Sequence, residues 1–200
     1  MKNLVFDKWD MSEVKLTDVG LQRYVNLEPK LVFHSHGRLA GKVLGKGQLS
    51  IVERLINTLM RSGTGRKVGG KQIHGRFGCG KKNRAYKIVE DAFVIINQKT
   101  KSNPIQILAQ AIENSAPREE TTRVKFGGIT RHIAVDISPQ RRVDFALRNI
   151  GISVVAKSFD NPKSAEEALA DELIAASKND ASSLAVAKKN EIERVAKGAR

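Results

Sequence analysis

The chain has 200 residues, of which 40% are hydrophobic, so it is long enough for one ordinary domain with a buried core. Its 35 Lys and Arg against 21 Asp and Glu give a net charge of +14, which points to a polyanionic partner, either nucleic acid or an anionic membrane surface. The single Cys79 excludes an internal disulfide. Because no apolar run is long enough to span a bilayer and Asp7 interrupts the first apolar stretch, we expect a soluble, intracellular protein without a signal peptide.

The first 49 residues show little periodicity, and we expect them to wrap the surface as an N-terminal extension. Residues 1–29 have a net charge of −1, whereas residues 30–90 hold fourteen basic and two acidic residues, a net charge of +12. The alternative to a binding role is a basic face that keeps the protein soluble, but soluble surfaces usually mix both signs. A block this one-sided repels itself unless an anion lies against it, so it favours phosphate binding.

Three helices are predicted before the apolar pattern changes. Ser50 and Glu53 have the spacing of a capping box, in which both side chains satisfy free amides at a helix start. A second helix is predicted over about residues 83–100, from its buried stripe of apolar residues. Asn103-Pro104 is typical of an N-cap followed by proline in the first helical position, and Pro117 ends the third helix.

After the third helix the apolar pattern has a period of two, which predicts a β-hairpin. Strands at 121–126 and 129–137 flank Gly127-Gly128, the two residues that supply the positive φ angles of a tight turn. Two alternatives stay open at this point: the hairpin packs on the helices, or it is an arm that reaches into RNA. One face carries Val124, Phe126, Ile129 and Ile133, and the other carries Arg123, Lys125 and His132.

Three further helical elements follow the hairpin. Ser138-Pro139 repeats the cap-then-proline pattern, and residues 152–159 are ambiguous between a continued helix and an extended piece. Ser164 and Glu167 form another capping box, and a last amphipathic helix contains Ile192. These elements predict a mainly α protein: a bundle of about six helices with a protruding two-stranded β-ribbon at 121–137.

Two segments resemble a phosphate-binding loop and part of a zinc site, and we reject both interpretations. The glycines of 75–80 and Lys81 match a phosphate-binding loop, but Lys82 follows where Ser or Thr must hold magnesium. His74 and Cys79 could be two zinc ligands, yet a closed site would need two more from distant histidines. Because no acid–base pair is positioned for catalysis either, we expect no enzymatic activity, no cofactor and no metal site.

Several segments together carry a resemblance to a known family. They are Ile51–Leu55, Asn103–Gln106, Ala111–Glu120, Val135–Val143 and Glu191–Lys197. In these segments the chain resembles family seven of the small-subunit ribosomal proteins, in its archaeal and eukaryotic branch, whose eukaryotic members bear the number five. The archaeal form is the most similar. The resemblance starts at Phe6-Asp7-Lys8-Trp9 and covers most of the chain, but 63–78 looks like an added segment and 152–159 lacks a charged pair common in the family.

The resemblance implies a role as a structural component in the head of the small ribosomal subunit, in the cytoplasm and away from membranes. Residues 50–200 would be a helical RNA-binding domain. It would bind the 3′ major domain of the small-subunit rRNA, organise head assembly, and place its ribbon near the exit-site tRNA and the mRNA, beside neighbouring ribosomal proteins. The expected RNA-binding residues are Arg38, Lys81, Lys82, Arg118, Arg141 and Arg142, with Arg123, Lys125 and Arg131 on the ribbon, and the basic block adds Lys42, Lys46 and Arg84.

Two functions from other classes are the alternatives. A sequence-specific DNA-binding regulator would insert one helix into the major groove, but here the charge is spread over loops and a ribbon. A nucleotide hydrolase depends on the rejected glycine-rich loop. The sequence therefore favours a structural RNA-binding protein of the ribosome.

Overall fold

A computed structural model describes residues 4–61, 67–68, 71–72 and 80–200. Most of the added segment 63–78, with the zinc candidates His74 and Cys79 and the glycine-rich loop before residue 80, lies outside these residues. The expected mainly α architecture with a β-ribbon is confirmed, and a short helix precedes the predicted ones. The helices are α1 (Val19–Gln22), α2 (Ile51–Arg61), α3 (Lys82–Thr100), α4 (Pro104–Ser115), α5 (Pro139–Ser158), α6 (Ala165–Ser177) and α7 (Leu184–Gly198); the strands are β1 (Lys67–Val68), β2 (Lys71–Gln72), β3 (Glu119–Phe126) and β4 (Ile129–Asp136).

Two of the four predicted side-chain caps form. Oδ1 of Asn103 accepts from the amide of Ile105 (3.0 Å), with proline first in α4. Ser164 and Glu167 make both hydrogen bonds of a capping box at α6. The prediction for Ser50 is wrong, because its buried hydroxyl has no hydrogen-bond partner within the described residues and the Glu53 carboxylate is taken by other donors. At Ser138 the following proline stands first in α5 as predicted, but the Ser138 side chain makes no capping hydrogen bond.

The core lies where α6 packs against α3, α4 and α5. The side chains of Leu108, Ile112 and Leu147 are almost entirely buried there, and each contributes about 1.5–3 kcal/mol by leaving water. The ambiguous stretch after residue 151 is helical, since α5 continues to Ser158 and buries Val154. Among the described residues no helix is long and apolar enough to cross a membrane.

The N-terminal segment contributes to the core besides covering the surface. It is largely irregular, with α1 and one 3₁₀ turn (Gly45–Gln48), yet many of its apolar side chains are buried in the same cluster as those of the helices. The rings of Phe6 and Trp9 lie 5.9 and 5.8 Å from the ring of Phe93 in α3. Aromatic pairs at this separation add to the gain from burial, so the segment is fixed against α3.

The β-ribbon has the register that its turn predicts. Phe126 pairs with Ile129 across Gly127 and Gly128, whose φ angles are +53° and +84°. The base of the ribbon packs on α7, and the amide of Ile137 donates to the carbonyl of Arg118 (2.9 Å). Towards the tip the side chain of Ile129 is 63% exposed. The first alternative therefore holds for the base, which packs on a helix. The tip projects, and its contact with RNA stays a prediction.

Candidate nucleic-acid interface

The start of α3 and the loop before α2 meet at a buried carboxylate. Glu53 is only 1% exposed and accepts from the amide of Ser35 (2.8 Å) and from Nζ of Lys82 (3.1 Å). These bonds hold the loop against the first turn of α3. Arg38 follows Ser35 in this loop, and Lys81 precedes Lys82, and both side chains are exposed. The Glu53–Lys82 ion pair is thus turned inward, whereas Arg38 in the loop and Lys81 beside Lys82 face solvent.

Two histidines in the same loop are stacked, with ring centroids 4.1 Å apart. Nδ1 of His34 accepts from the amide of His36 (2.9 Å), which requires an unprotonated nitrogen. The positive charge of Lys82, followed by desolvation and the charge of His36, holds the pKa of His34 below its ordinary value. His34 is therefore neutral at pH 7, and the positive charge of this surface comes from lysine and arginine.

The other end of the loop is tied to α5 through Asp144. This carboxylate accepts from Nζ of Lys46 (3.4 Å) and from Nη2 of Arg54 (3.0 Å). Arg54 is buried and also donates to the carbonyl of Tyr24 (2.9 Å), so it links the N-terminal segment, α2 and α5. The loop is consequently anchored at Ser35 by a bond to a buried carboxylate, and at Lys46 it meets α5 through an exposed ion pair.

The first turn of α5 carries two arginines with different environments. Nη2 of Arg141 donates to Glu120 at the ribbon base (3.0 Å), and its guanidinium lies 5.2 Å from the ring centroid of Phe145 while remaining largely exposed. Arg142 is buried, and its Nη2 donates to Asp18 (2.8 Å). Burial alone would raise the pKa of Asp18, but the bond and charge of Arg142 lower it overall. Arg142 thus joins α5 to the start of α1.

The structure places the predicted RNA-binding residues in different environments. Lys82 and Arg142 are turned inward to carboxylates, and Lys46 and Arg141 are exposed at the rim of an ion pair. Arg84, three positions after Lys81, is exposed as well. The side chains that are exposed and form no ion pair within the described ranges are those of Arg38, Lys42, Lys81, Arg118, Arg123, Lys125 and Arg131.

Two surfaces collect these exposed cations. We call the first the basic track; it follows the loop from Arg38 through Lys42 to Lys46, with Lys81 at one end and Arg141 at the other. The second is the outer ribbon, with Arg123, Lys125 and Arg131. Arg118 belongs to neither surface and lies in a cleft beside α7.

Sequence reasoning missed two features of the interface. Arg54 lies three residues after the buried Ile51, and this spacing places a charge on the apolar face of α2, which could have marked it as a buried ion-pair partner. The basic track also carries exposed apolar side chains, including Val43 at 92% and Leu44 at 59% exposure.

In the described part of the chain, no three His, Cys, Asp or Glu side chains lie close enough to hold a metal ion.

Comparison with known proteins gives consistent matches over nearly the whole chain. Residues 21–200 match the family model described as Ribosomal protein S7p/S5e. The chain is 50% identical over 197 residues to small ribosomal subunit protein uS7 of Methanothermobacter thermautotrophicus, covering 98% of this chain and 99% of that one. It is 51% identical over 195 residues to uS7 of Methanosphaera stadtmanae (98% and 97% covered) and 49% identical over 197 residues to uS7 of Thermoplasma volcanium (98% and 100% covered).

Proposed function

Because this chain belongs to the ribosomal protein S7p/S5e family, we propose that it binds the 3′ major domain of the small-subunit rRNA and organises the subunit head during assembly. The membership itself makes it a structural, non-enzymatic component of the small subunit of the cytoplasmic ribosome. Its partners are therefore rRNA and other ribosomal proteins. The rRNA region, the role in assembly and the placement of the ribbon are the proposal.

The observation that carries the rRNA contact is the basic track. Three of its exposed cations, Arg38, Lys42 and Lys81, form no ion pair within the described residues. Lys99 and Lys163 on the helical body, by contrast, both pair with Asp171. Such unpaired cations can bind the phosphates of an RNA backbone. Contacts of this kind position a protein on RNA without reading its bases. The exposed Val43 and Leu44 lie between the cations and would be covered by sugars or unstacked bases.

The outer ribbon supports a separate contact with the exit-site tRNA and the mRNA. Its cations are unpaired within the described residues, and Ile129 and Ile133 on one face are 63% and 43% exposed. Because the base alone packs on α7, the outer part is available to a moving ligand. A DNA-binding regulator fits less well, since the free cations lie on a loop and a ribbon instead of one recognition helix.

Salt dependence tests the basic track. Replacing Arg38, Lys42 and Lys81 by alanine should weaken binding to a transcript of the 3′ major domain, measured by filter binding from 50 to 200 mM KCl. Each lost phosphate contact should lower the slope of log K against log salt concentration by about 0.7–0.9. Lys99→Ala is the control, because Lys99 lies on the helical body, away from the track, and pairs with Asp171. An unchanged slope in the triple variant would contradict the role of the track.

Shortening the ribbon tests the second contact. We expect that replacing residues 123–131 by a short Gly-Ser turn leaves folding and incorporation into small subunits nearly intact, because the ribbon tip has no described packing on the body. The effect should appear as altered reading-frame maintenance, measured with a frameshift reporter alongside sedimentation profiles. Absence of assembled small subunits would show instead that the ribbon is an assembly element.

A further inference from the structure

Two exposed imidazole rings lie against each other in the loop before α2. The ring centroids of His34 and His36 are 4.1 Å apart, with a tilt of 33° between the rings. Residues two positions apart on an extended chain are separated by about 6.6 Å, so extended backbone alone does not bring two such rings together. Both residues stay exposed although each ring covers one face of the other, which leaves a face for a further flat ring. We call this pair the histidine platform.

Buried neighbours hold the platform on the outside of the loop. Phe33 is 1% exposed, and its ring centroid lies 5.3 Å from that of Phe6. The amide of Ser35 donates to the buried carboxylate of Glu53 (2.8 Å). These two anchored positions alternate along the chain with the two exposed histidines. The loop is therefore attached to the body on one side and presents both imidazoles on the other.

A tight turn brings the two rings together. The φ angles of His36 and Gly37 are +50° and +72°, and the amide of Arg38 donates to the carbonyl of Ser35 (3.1 Å). Positive φ at both central positions is typical of a type I′ turn, and His36 adopts it although non-glycine residues rarely do. Nδ1 of His34 accepts from the amide of His36 (2.9 Å). The backbone thus forms the platform before any ligand arrives, and unusual backbone of this kind is common at binding sites.

The platform adjoins the basic track, so charge helps to select what stacks on it. Arg38 lies in the same turn as His36. On the other side Lys82 is close enough for its charge to lower the pKa of His34, and Lys81 precedes Lys82. Arg38 and Lys81 are exposed and form no ion pair within the described residues. A nucleotide combines a flat ring with an anionic phosphate, whereas the aromatic side chain of a protein offers these cations no negative charge.

Only an unpaired base can use such a platform. Inside a duplex both faces of a base are covered by the neighbouring base pairs, whereas the bases of loops, bulges and ends can splay out and stack on aromatic side chains, histidine included. A metal ion is the other common ligand of two histidines. The described residues contain no group of three His, Cys, Asp or Glu side chains that could hold one.

We propose that the histidine platform binds one unpaired nucleobase of the rRNA by stacking, with the adjacent phosphates on Arg38 and Lys81. The proposal rests on the proposed function, because the same track supplies the phosphate contacts. It adds that this end of the track takes single-stranded RNA and not a continuous helix.

A fluorescent base tests the stacking directly. 2-Aminopurine loses fluorescence when it stacks, so the free protein would be titrated with a uridine hexamer that contains one 2-aminopurine. We expect quenching with the unaltered protein and with His36→Phe, which keeps an aromatic ring, but not with His36→Lys, which keeps only a cation. His36→Ala should weaken binding by about five- to 150-fold, the range for stacking of one base.

His132→Lys is the matched control, because His132 is an exposed histidine on the ribbon, outside the platform. This variant should quench the fluorescence as the unaltered protein does. Equal quenching by His36→Phe and His36→Lys, or binding of the hexamer by the unaltered protein without quenching, would overturn the proposal. Failure of the unaltered protein to bind a transcript of the 3′ major domain, with quenching of the hexamer preserved, would refute the proposed function alone.

A crosslink in the assembled particle tests the same contact in the ribosome. Small subunits containing His36→p-azidophenylalanine would be irradiated, and the crosslinked nucleotide located by the stop of reverse transcriptase. We expect an rRNA nucleotide without a Watson–Crick partner. A crosslink to a base-paired nucleotide or to a protein, or no crosslink, would overturn the proposal. An unpaired nucleotide outside the 3′ major domain would support the platform and refute the proposed rRNA region.

Discussion

Replacing Lys82 by alanine should destabilise the protein far more than replacing Lys81, although the two lysines are adjacent. The ammonium of Lys82 lies 3.1 Å from a Glu53 carboxylate that is 1% exposed, and the side chain of Lys82 is itself only 18% exposed. Removing the lysine leaves a buried charge with the amide of Ser35 as its described partner. The loop that carries the basic track loses its anchor at the same time.

The magnitude follows from the burial of the pair. Breaking a buried ion pair by removing one partner costs about 3–5 kcal/mol, a large share of the roughly 5–15 kcal/mol that stabilises a domain. Lys81→Ala removes an exposed, unpaired cation and should change the unfolding free energy by less than about 0.5 kcal/mol. Urea denaturation followed by the fluorescence of Trp9, the single tryptophan, measures both variants.

A double variant shows whether the buried charge is the cause. Glu53→Gln keeps an oxygen that accepts from the amide of Ser35 but removes the charge, so Lys82→Met with Glu53→Gln should recover much of the stability lost in Lys82→Ala. The reasoning is refuted if the unfolding free energy of Lys82→Ala lies within about 0.5 kcal/mol of that of the unaltered protein, or if the double variant recovers no stability. Either result would mean that the pair does not hold the start of α3.

Two further predictions concern Glu172 and the serine caps. Burial would raise the pKa of Glu172, but hydrogen bonds from Lys157 and from the start of α7 lower it overall. The stability that Glu172 contributes is therefore present above its unfolded pKa and is lost as the pH falls through the lower pKa of the folded state. Thermal melts from pH 3 to 7 should show this acid-side loss, and Glu172→Gln should reduce it; parallel curves would contradict the assignment. Ser164→Ala should cost about 0.5–2 kcal/mol because its cap is formed, whereas Ser50→Ala should be nearly neutral; equal losses in chemical denaturation would argue against this difference.

The parts of the fold that the sequence predicted well are those fixed by local chemistry. The Asn103-Pro104 start of α4 and the turn at Gly127-Gly128 each depend on a few consecutive residues, and both are confirmed. The same local rule failed at Ser50. There the carboxylate that should have completed the capping box is bonded by Ser35 and Lys82, at 18 and 29 positions from Glu53, which no local pattern encodes.

Long-range contacts also explain what was missed in the N-terminal segment and the site. Phe6 packs on Phe93, which is far along the chain, so a segment without periodicity still enters the core. The excess of charge correctly indicated where basic residues concentrate, but it could not distinguish Arg141, exposed at the ribbon base, from Arg142, which meets Asp18 at a separation of 124 positions. Whether Arg142 is exposed or buried thus depends on Asp18, a carboxylate far from it in the sequence.

The distribution of these carboxylates determines where the net charge of +14 is available. On the helical body Asp171 pairs with two lysines and Glu172 with a third, and Asp144 pairs with Lys46 at one end of the basic track. Among the described cations that form no ion pair are Arg38, Lys42 and Lys81 on the track and Arg123, Lys125 and Arg131 on the ribbon. Because a hydrogen bond to a buried carboxylate anchors the loop at Ser35, part of the entropy cost of ordering it is already met before the proposed docking of a phosphate backbone. The ribbon contacts α7, and its exposed outer part fits the proposed transient contact with tRNA and mRNA.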